Sequence, residues 1–157
     1  MARSNPNPSA ALTAPDYEAL AELRYQIRRF LRFSEEAARK AGIEARQHQL
    51  LLAVKGLPHT ERPRIGVLAE RLQIEPHSAV ELANRLAKRG YVRRRRDADD
   101  GREVLLMLTP KGERSLRELS LDHRAELRTA GPALIAALMR ALVAAKPHAR
   151  KTSKKRK

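Results

Sequence analysis

Residues 65–112 read IGVLAERLQIEPHSAVELANRLAKRGYVRRRRDADDGREVLLMLTPKG. Leu68, Ala69 and Leu72 share one side of a short helix over Gly66–Leu72. Gln73-Ile74-Glu75 makes a tight turn. Pro76 then suits the first turn of a second helix, where its missing N–H would be unpaired in any case. That helix runs to Arg89 and stops at Gly90, with Ala79, Leu82, Ala83 and Leu86 as its inward stripe. Tyr91–Arg96 and Arg102–Leu108 are strand-like runs flanking Asp97-Ala98-Asp99-Asp100-Gly101, the signal of a hairpin with a five-residue loop. Thr109 follows as an N-cap with Pro110 behind it. Helix, turn, helix and hairpin in that order give a protein one probe for a major groove and another for a minor groove.

Outward from this stretch the chain is helical. Residues 1–15, rich in Pro, Asn, Ser and Ala, predict a mobile arm. A helix over about 16–41 is marked by Leu20, Leu23, Ile27, Phe30/Leu31, Ser34 and Ala38 at steps of three and four, with Gly42 as its stop. A second helix, about Glu44 to Lys55, is apolar on most sides in its later half, and Leu57–Arg64 is a loop with room for one short strand. Beyond the hairpin a helix runs from Pro110 to about Ala130, Gly131-Pro132 breaks or kinks it, and Ala133–Ala145 forms a last helix. Leu134, Ile135, Leu138, Met139, Leu142 and Val143 make that last helix apolar nearly all round. It either folds back over its own core or joins the first helix in a two-fold seam, cyclic dimers being the commonest oligomers.

The fold class expected is mainly α with a small β-hairpin wing, in one domain over 16–145 with a basic tail over 146–157. A chain of 157 residues buries roughly 68–70% of its unfolded surface. Its apolar fraction is 42%, but it has only five aromatics and no Trp, so Leu, Ala, Ile and Val must build the core. The net charge is +15, of which the seven Lys and Arg after Ala145 supply nearly half, and the body stays basic without them. A basic body favours a polyanionic partner. With no Cys, disulfides, thiolate catalysis and Cys-ligated zinc are excluded. The start of the chain has no apolar signal-peptide core and no segment spans a bilayer, so a soluble cytoplasmic protein with no membrane partner is expected.

On the second helix of the opening stretch the outward residues are His77, Ser78, Val80, Glu81, Asn84, Arg85 and Lys88. His77, Glu81, Asn84/Arg85 and Lys88 share a face. Chemistry permits Glu81 to accept from a cytosine amino group, Ser78 to meet several bases, and Arg85 to meet guanine or phosphate. The plainer use of that face is a solvated surface with a Glu81–Arg85 ion pair. In the hairpin, Arg93, Arg94, Arg95 and Arg96 alternate between the two sides of a strand, so only some, Arg95 among the candidates, meet phosphate. The rest are solvated or paired with Asp97, Asp99 and Asp100. Asp100 stands two residues before Arg102; it either holds that guanidinium for insertion into a narrow minor groove or merely pins the loop.

The order and register of these pieces resemble the winged helix-turn-helix of the multiple antibiotic resistance regulator (MarR) family. The matching residues are Leu68–Leu72, Ser78–Leu86, Arg89–Arg94, and the wing from Asp97 to Arg102 followed by Leu108-Thr109-Pro110-Lys111-Gly112. The resemblance covers about 16–145, with the winged helix at about 57–112 and dimerisation helices at about 16–41 and 110–145. It implies a triangular homodimer, an inverted-repeat DNA site, Ser78–Arg85 as the reading helix and Asp100/Arg102 as the wing-tip pair. Glu81 stands where many members carry Arg, so no operator sequence can be carried over. Glu44 stands where Thr or Ser usually caps the second helix, which weakens that cap. The basic tail has no counterpart.

No catalytic set, Gly-rich phosphate loop or nucleophile elbow is present, and no enzyme activity or cofactor is expected. The five His, at 48, 59, 77, 123 and 148, lack metal-ligand spacing, although a site assembled in space from His48 or His123 has precedent in the family's zinc sensors. The expectation is a homodimeric, sequence-specific transcriptional regulator, most often a repressor in this family, relieved by a small-molecule effector between dimer helices and winged lobes. The alternative is an architectural, nucleoid-associated DNA binder, suggested by the charge and the tail.

Overall fold

The structure, a computed structural model, describes residues 12–97 and 101–144. Residues 1–11 of the arm, the wing-tip residues Asp99 and Asp100, and the basic tail from 145 onwards lie outside the described residues. The element order is α1 (Ala14–Lys40), α2 (Ala45–Gly56), α3 (Ile65–Leu72), α4 (Pro76–Lys88), β1 (Val92–Arg96), β2 (Val104–Leu108) and α5 (Pro110–Ala144). The described residues divide into two compact units, 31–127 and 12–30 with 128–144.

The larger unit is built on α2, α3 and α4. Leu50, Leu51, Leu68 and Leu86 are wholly buried, with Ile43, Tyr91, Val92, Leu106, Leu116 and Leu119 packed around them. Each such Leu contributes about 1.5–3 kcal/mol by leaving water, which is how a chain poor in aromatics holds together. The turn between α3 and α4 closes at Gln73, whose φ of 54° is left-handed and whose amide side chain donates to the Glu70 carbonyl at 2.8 Å. Glu75 and Pro76 then open α4. At its other end Gly90, with φ 74°, lets the Tyr91 N–H return to the Leu86 carbonyl at 2.9 Å and turns the chain into β1.

The strands pair antiparallel from Val92↔Leu108 to Arg96↔Val104, and the Asp97 N–H extends the ladder to the Glu103 carbonyl at 2.8 Å. On the far side of β2, Arg64 bridges Leu105 and the Leu106 N–H reaches the Pro63 carbonyl at 2.9 Å. The loop before α3 thus supplies a one-residue third strand, and β2, flanked on both sides, buries Leu105 and Leu106.

Three boundaries differ from the sequence expectations. Helix α1 starts two residues early, because Thr13 is its cap: the Thr13 amide and hydroxyl both donate to Asp16 Oδ2 at 2.7 Å. Glu44 caps α2 without a hydroxyl, yet the end is not weak. Gln47 at the third helical position accepts the Glu44 N–H at 3.4 Å and completes a capping box. The third is a correction. Helix α5 runs unbroken through Gly131-Pro132, so there is no separate last helix. Pro132 forfeits one N–H and its ring crowds the carbonyl four residues back; Gly131, having no Cβ, relieves only the clash with the preceding side chain.

In the smaller unit, the described residues are the first half of α1 and the second half of α5. Ala19, Ala137 and Ala141 are buried there, whereas Tyr17, Leu20, Ile135, Met139, Leu142 and Val143 are exposed, Ile135 and Val143 at 63%. No helix among the described residues is long and apolar enough to cross a membrane.

Candidate nucleic-acid interface

Helix α4 sorts its residues by period. Ala79, Leu82, Ala83 and Leu86 are buried, while His77, Val80, Glu81, Asn84, Arg85 and Lys88 are exposed and Ser78 is half-buried. Arg85 lies 3.9 Å from the Glu81 carboxylate and 3.7 Å from that of Glu44. Both pairs are open to solvent, where such contacts contribute about 0–1 kcal/mol and break readily when a phosphate competes. The intrahelical ion pair and an available guanidinium are therefore compatible.

The hairpin arginines divide between two sides. Val92 is buried towards the core, and strand alternation puts Arg94 on the same side. There the Arg94 Nη2 donates to Asn84 Oδ1 at 2.6 Å, tying β1 to the middle of α4. Arg95 points the other way, into a recess of about 500 Å³ lined by Val54, Leu57, His59, Arg62, Asp97 and Met107. The structure thus brings Arg94, which sequence reasoning had not singled out, to the α4 face, and keeps Arg95 off it. Buried Val92 was the available signal, because it fixes which strand parity faces inward.

Asp97 is buried beneath the wing and meets Arg62, with Arg64 at 3.7 Å; Arg64 also reaches Glu103. Its partners come from the loop before α3 and tie the base of the wing to that loop. Arg102 is exposed just before β2. The Asp100 half of the expected wing-tip pair lies outside the described residues.

Away from these elements, His48 and His123 come together. Their ring centroids are 4.8 Å apart, and Phe33 stacks edge-on against His123 at 5.5 Å. The His123 Nδ1–H donates to the Leu119 carbonyl at 2.5 Å, and its Nε2 is hydrogen-bonded with the Ser34 hydroxyl at 2.7 Å. His48 is 2% exposed and its Nδ1 has no hydrogen-bond partner. Burial, reinforced by the neighbouring His123 imidazole, lowers the His48 pKa to about 4. No group of three or more His, Cys, Asp or Glu able to hold a metal occurs among the described residues. Further along the α2/α5 side, a cavity of about 430 Å³ is lined by Leu52, Leu116, Arg114, Arg117 and Ser120, with Lys55 and Glu113 paired at 2.8 Å on its edge.

The helix-turn-helix, its capping turns and the first wing strand coincide with a known sequence pattern: the MarR family model matches residues 41–103. Over that segment the chain matches the MarR family. Several solved MarR-type structures share the fold. AbsC, a MarR family transcriptional regulator from Streptomyces coelicolor, superposes with a TM-score of 0.68 at 20% identity, covering 85% of this chain and 93% of that one. CouR from Rhodococcus jostii RHA1, solved with p-coumaroyl-CoA bound, gives 0.66 at 22% identity over 88% of this chain and 99% of its own. A MepR point mutant from S. aureus, solved with an oligodeoxyribonucleotide, gives 0.59 at 17% identity over 83% and 98%. At these identities the likeness is one of fold. Comparison with curated proteins gives no match.

Proposed function

We propose that this MarR-type protein is a homodimeric, sequence-specific DNA-binding repressor of an inverted-repeat operator. The observation that carries this reading is the exposed polar face of α4, linked through Arg94 to an arginine-rich hairpin. Ser78, Glu81 and Arg85, with His77, Val80, Asn84 and Lys88 around them, read base edges in the major groove. Arg102 enters the minor groove. Arg94 fixes Asn84 and with it the angle between the two probes. Arg95 contributes charge from the far side of the strand. A dimer places two such readers about one helical turn apart.

The seam consists of the exposed apolar residues of α1 and α5. Replacing Ile135 and Leu142 together by Glu should convert a species of twice the chain mass in equilibrium sedimentation into one of the chain mass. It should also weaken operator binding about 100-fold, the gain ordinarily lost with bivalency. A double variant that remains dimeric would refute this seam. The α2/α5 cavity, apolar at Leu52 and Leu116, is rimmed by Arg114 and Arg117 and by Lys55 paired with Glu113, and its excess of cations suits a small apolar effector bearing an acid. CouR is described with p-coumaroyl-CoA bound and MepR with DNA, which supports both classes of partner. Such an effector releases DNA only by favouring a reader spacing that the operator does not accept.

Selection from a random DNA pool, followed by footprinting at moderate salt, tests the proposal. One protected palindrome with a large preference over random DNA is expected. Uniform coating would instead identify the architectural binder that the +15 charge also suits. Arg102→Ala should weaken the selected site by about 10- to 100-fold. Deleting residues 147–157 should lower affinity for all DNA and flatten its salt dependence, but leave the preferred sequence unchanged. Loss of the preference with the tail would move specificity off α4.

A further inference from the structure

Arg89, at the C-terminal end of α4, is bound to backbone and side-chain acceptors of another part of the fold. Its guanidinium forks across the corner between α1 and α2: Nη2 donates to the Gly42 carbonyl at 2.6 Å and Nη1 to Gln47 Oε1 at 3.1 Å. Gln47 is 1% exposed, and the same Oε1 accepts the Glu44 N–H that caps α2. The Arg89 guanidinium also lies 5.1 Å from the centroid of the buried Tyr91 ring, and the Arg89 carbonyl accepts from Lys111 Nζ at 2.8 Å. One side chain thus joins the end of the reading helix to the α1–α2 turn, the cap of α2 and the turn into β1. Lysine has no planar fork and cannot make both bonds in this geometry.

We infer that Arg89 is a positioning residue for DNA recognition, setting the angle of α4 through Gln47 and Gly42 rather than by touching a phosphate. This rests on the reading of α4 as the helix that enters the groove. A base edge is read only by a donor within a few tenths of an ångström of its place. A helix loosened at one end therefore loses discrimination before it loses charge attraction. Random DNA, held by charge alone, should not register the change.

The test is the affinity of the full-length protein for its selected operator and for random duplex of the same length, across a range of salt. Arg89→Lys, which keeps the charge and loses the fork, should weaken operator binding about tenfold, with random-DNA affinity and the salt slope unchanged. Gln47→Met should reproduce that loss, Gln47→Glu should retain operator preference because the acceptor survives, and the Arg89→Lys/Gln47→Met pair should lose no more than either alone. A phosphate contact would behave oppositely: Arg89→Lys would be mild, and Arg89→Met would weaken both DNAs together and reduce the salt slope by about 0.9. That pattern, or additive losses in the pair, overturns the positioning role. Should Arg89→Lys fold poorly, Gln47→Met against Gln47→Glu decides alone. Arg85→Ala on the exposed face separates the two readings. Loss there with Arg89→Lys unaffected refutes only the Arg89 proposal, whereas a native protein with no operator preference refutes both.

Discussion

Replacing Gly112 by alanine should lower the stability of the larger unit by about 3 kcal/mol, the upper end of the cost of overpacking. A Cβ at this position would stand 2.1 Å from the Tyr91 carbonyl oxygen and 3.0 Å from Leu108 Cδ2. The first obstacle is backbone and cannot swing aside. It is also held from elsewhere, since the Tyr91 carbonyl accepts the Thr109 N–H at 3.0 Å. Thr109 in turn donates its hydroxyl to the Gly90 carbonyl at 2.6 Å and accepts the Gly112 N–H at 3.1 Å. The start of α5, the end of α4 and the root of the wing therefore meet at one point, and only a residue without a side chain fits there. In thermal unfolding the midpoint should fall by roughly 10 °C for a domain of this size. Gly66→Ala is the control: it sits inside α3 with no atom within 4 Å of the new Cβ, and should raise stability by about 0.5–1 kcal/mol. Equal behaviour of the two variants would mean that the junction yields more easily than its bonds suggest.

This junction shows what the sequence makes legible. The Thr-Pro-Lys-Gly run marked a helix start, because capping and proline chemistry act within four residues. The inward stripe of α4 and the hairpin were readable for the same reason: their periods of 3.6 and 2 are local. The parity of the hairpin is local too, because apolar Val92 orients Arg94 and Arg95 to opposite sides. The uninterrupted α5 was not readable, since Gly131 and Pro132 both disfavour a helix interior and carry the opposite signal. Other features leave no local trace. Arg62 lies 35 residues from Asp97, and Arg89 lies 47 from Gly42. A polar contact at such separation has no periodic signature, so the ties that orient the wing and α4 emerge only when the backbone brings them together. Asp97 among three acids and a glycine looked like part of a charged loop, yet it is a buried carboxylate under the wing.

The His48–His123 contact belongs to that second class and carries the last prediction. His48 has an ordinary pKa of 6.5 when the chain is unfolded and one near 4 when folded, because burial disfavours the imidazolium and the His123 ring opposes it further. Between those values the unfolded chain binds a proton that the folded protein refuses. Stability from this residue is therefore complete above about pH 6.5 and is lost as pH falls towards 4, with a limiting slope of about 1.4 kcal/mol per pH unit for one proton. Across the whole window that amounts to about 3 kcal/mol. Urea midpoints measured from pH 7.5 to 4.5 should decline for the native chain. For His48→Gln, which cannot charge, the decline should be shallower by that slope. The carboxylates of the protein lie in both chains alike and cancel in the difference. Parallel curves would mean that the folded protein admits the proton at His48, with water reaching the Nδ1 that has no partner among the described residues. If the curves diverge as expected, the imidazole is held neutral at physiological pH.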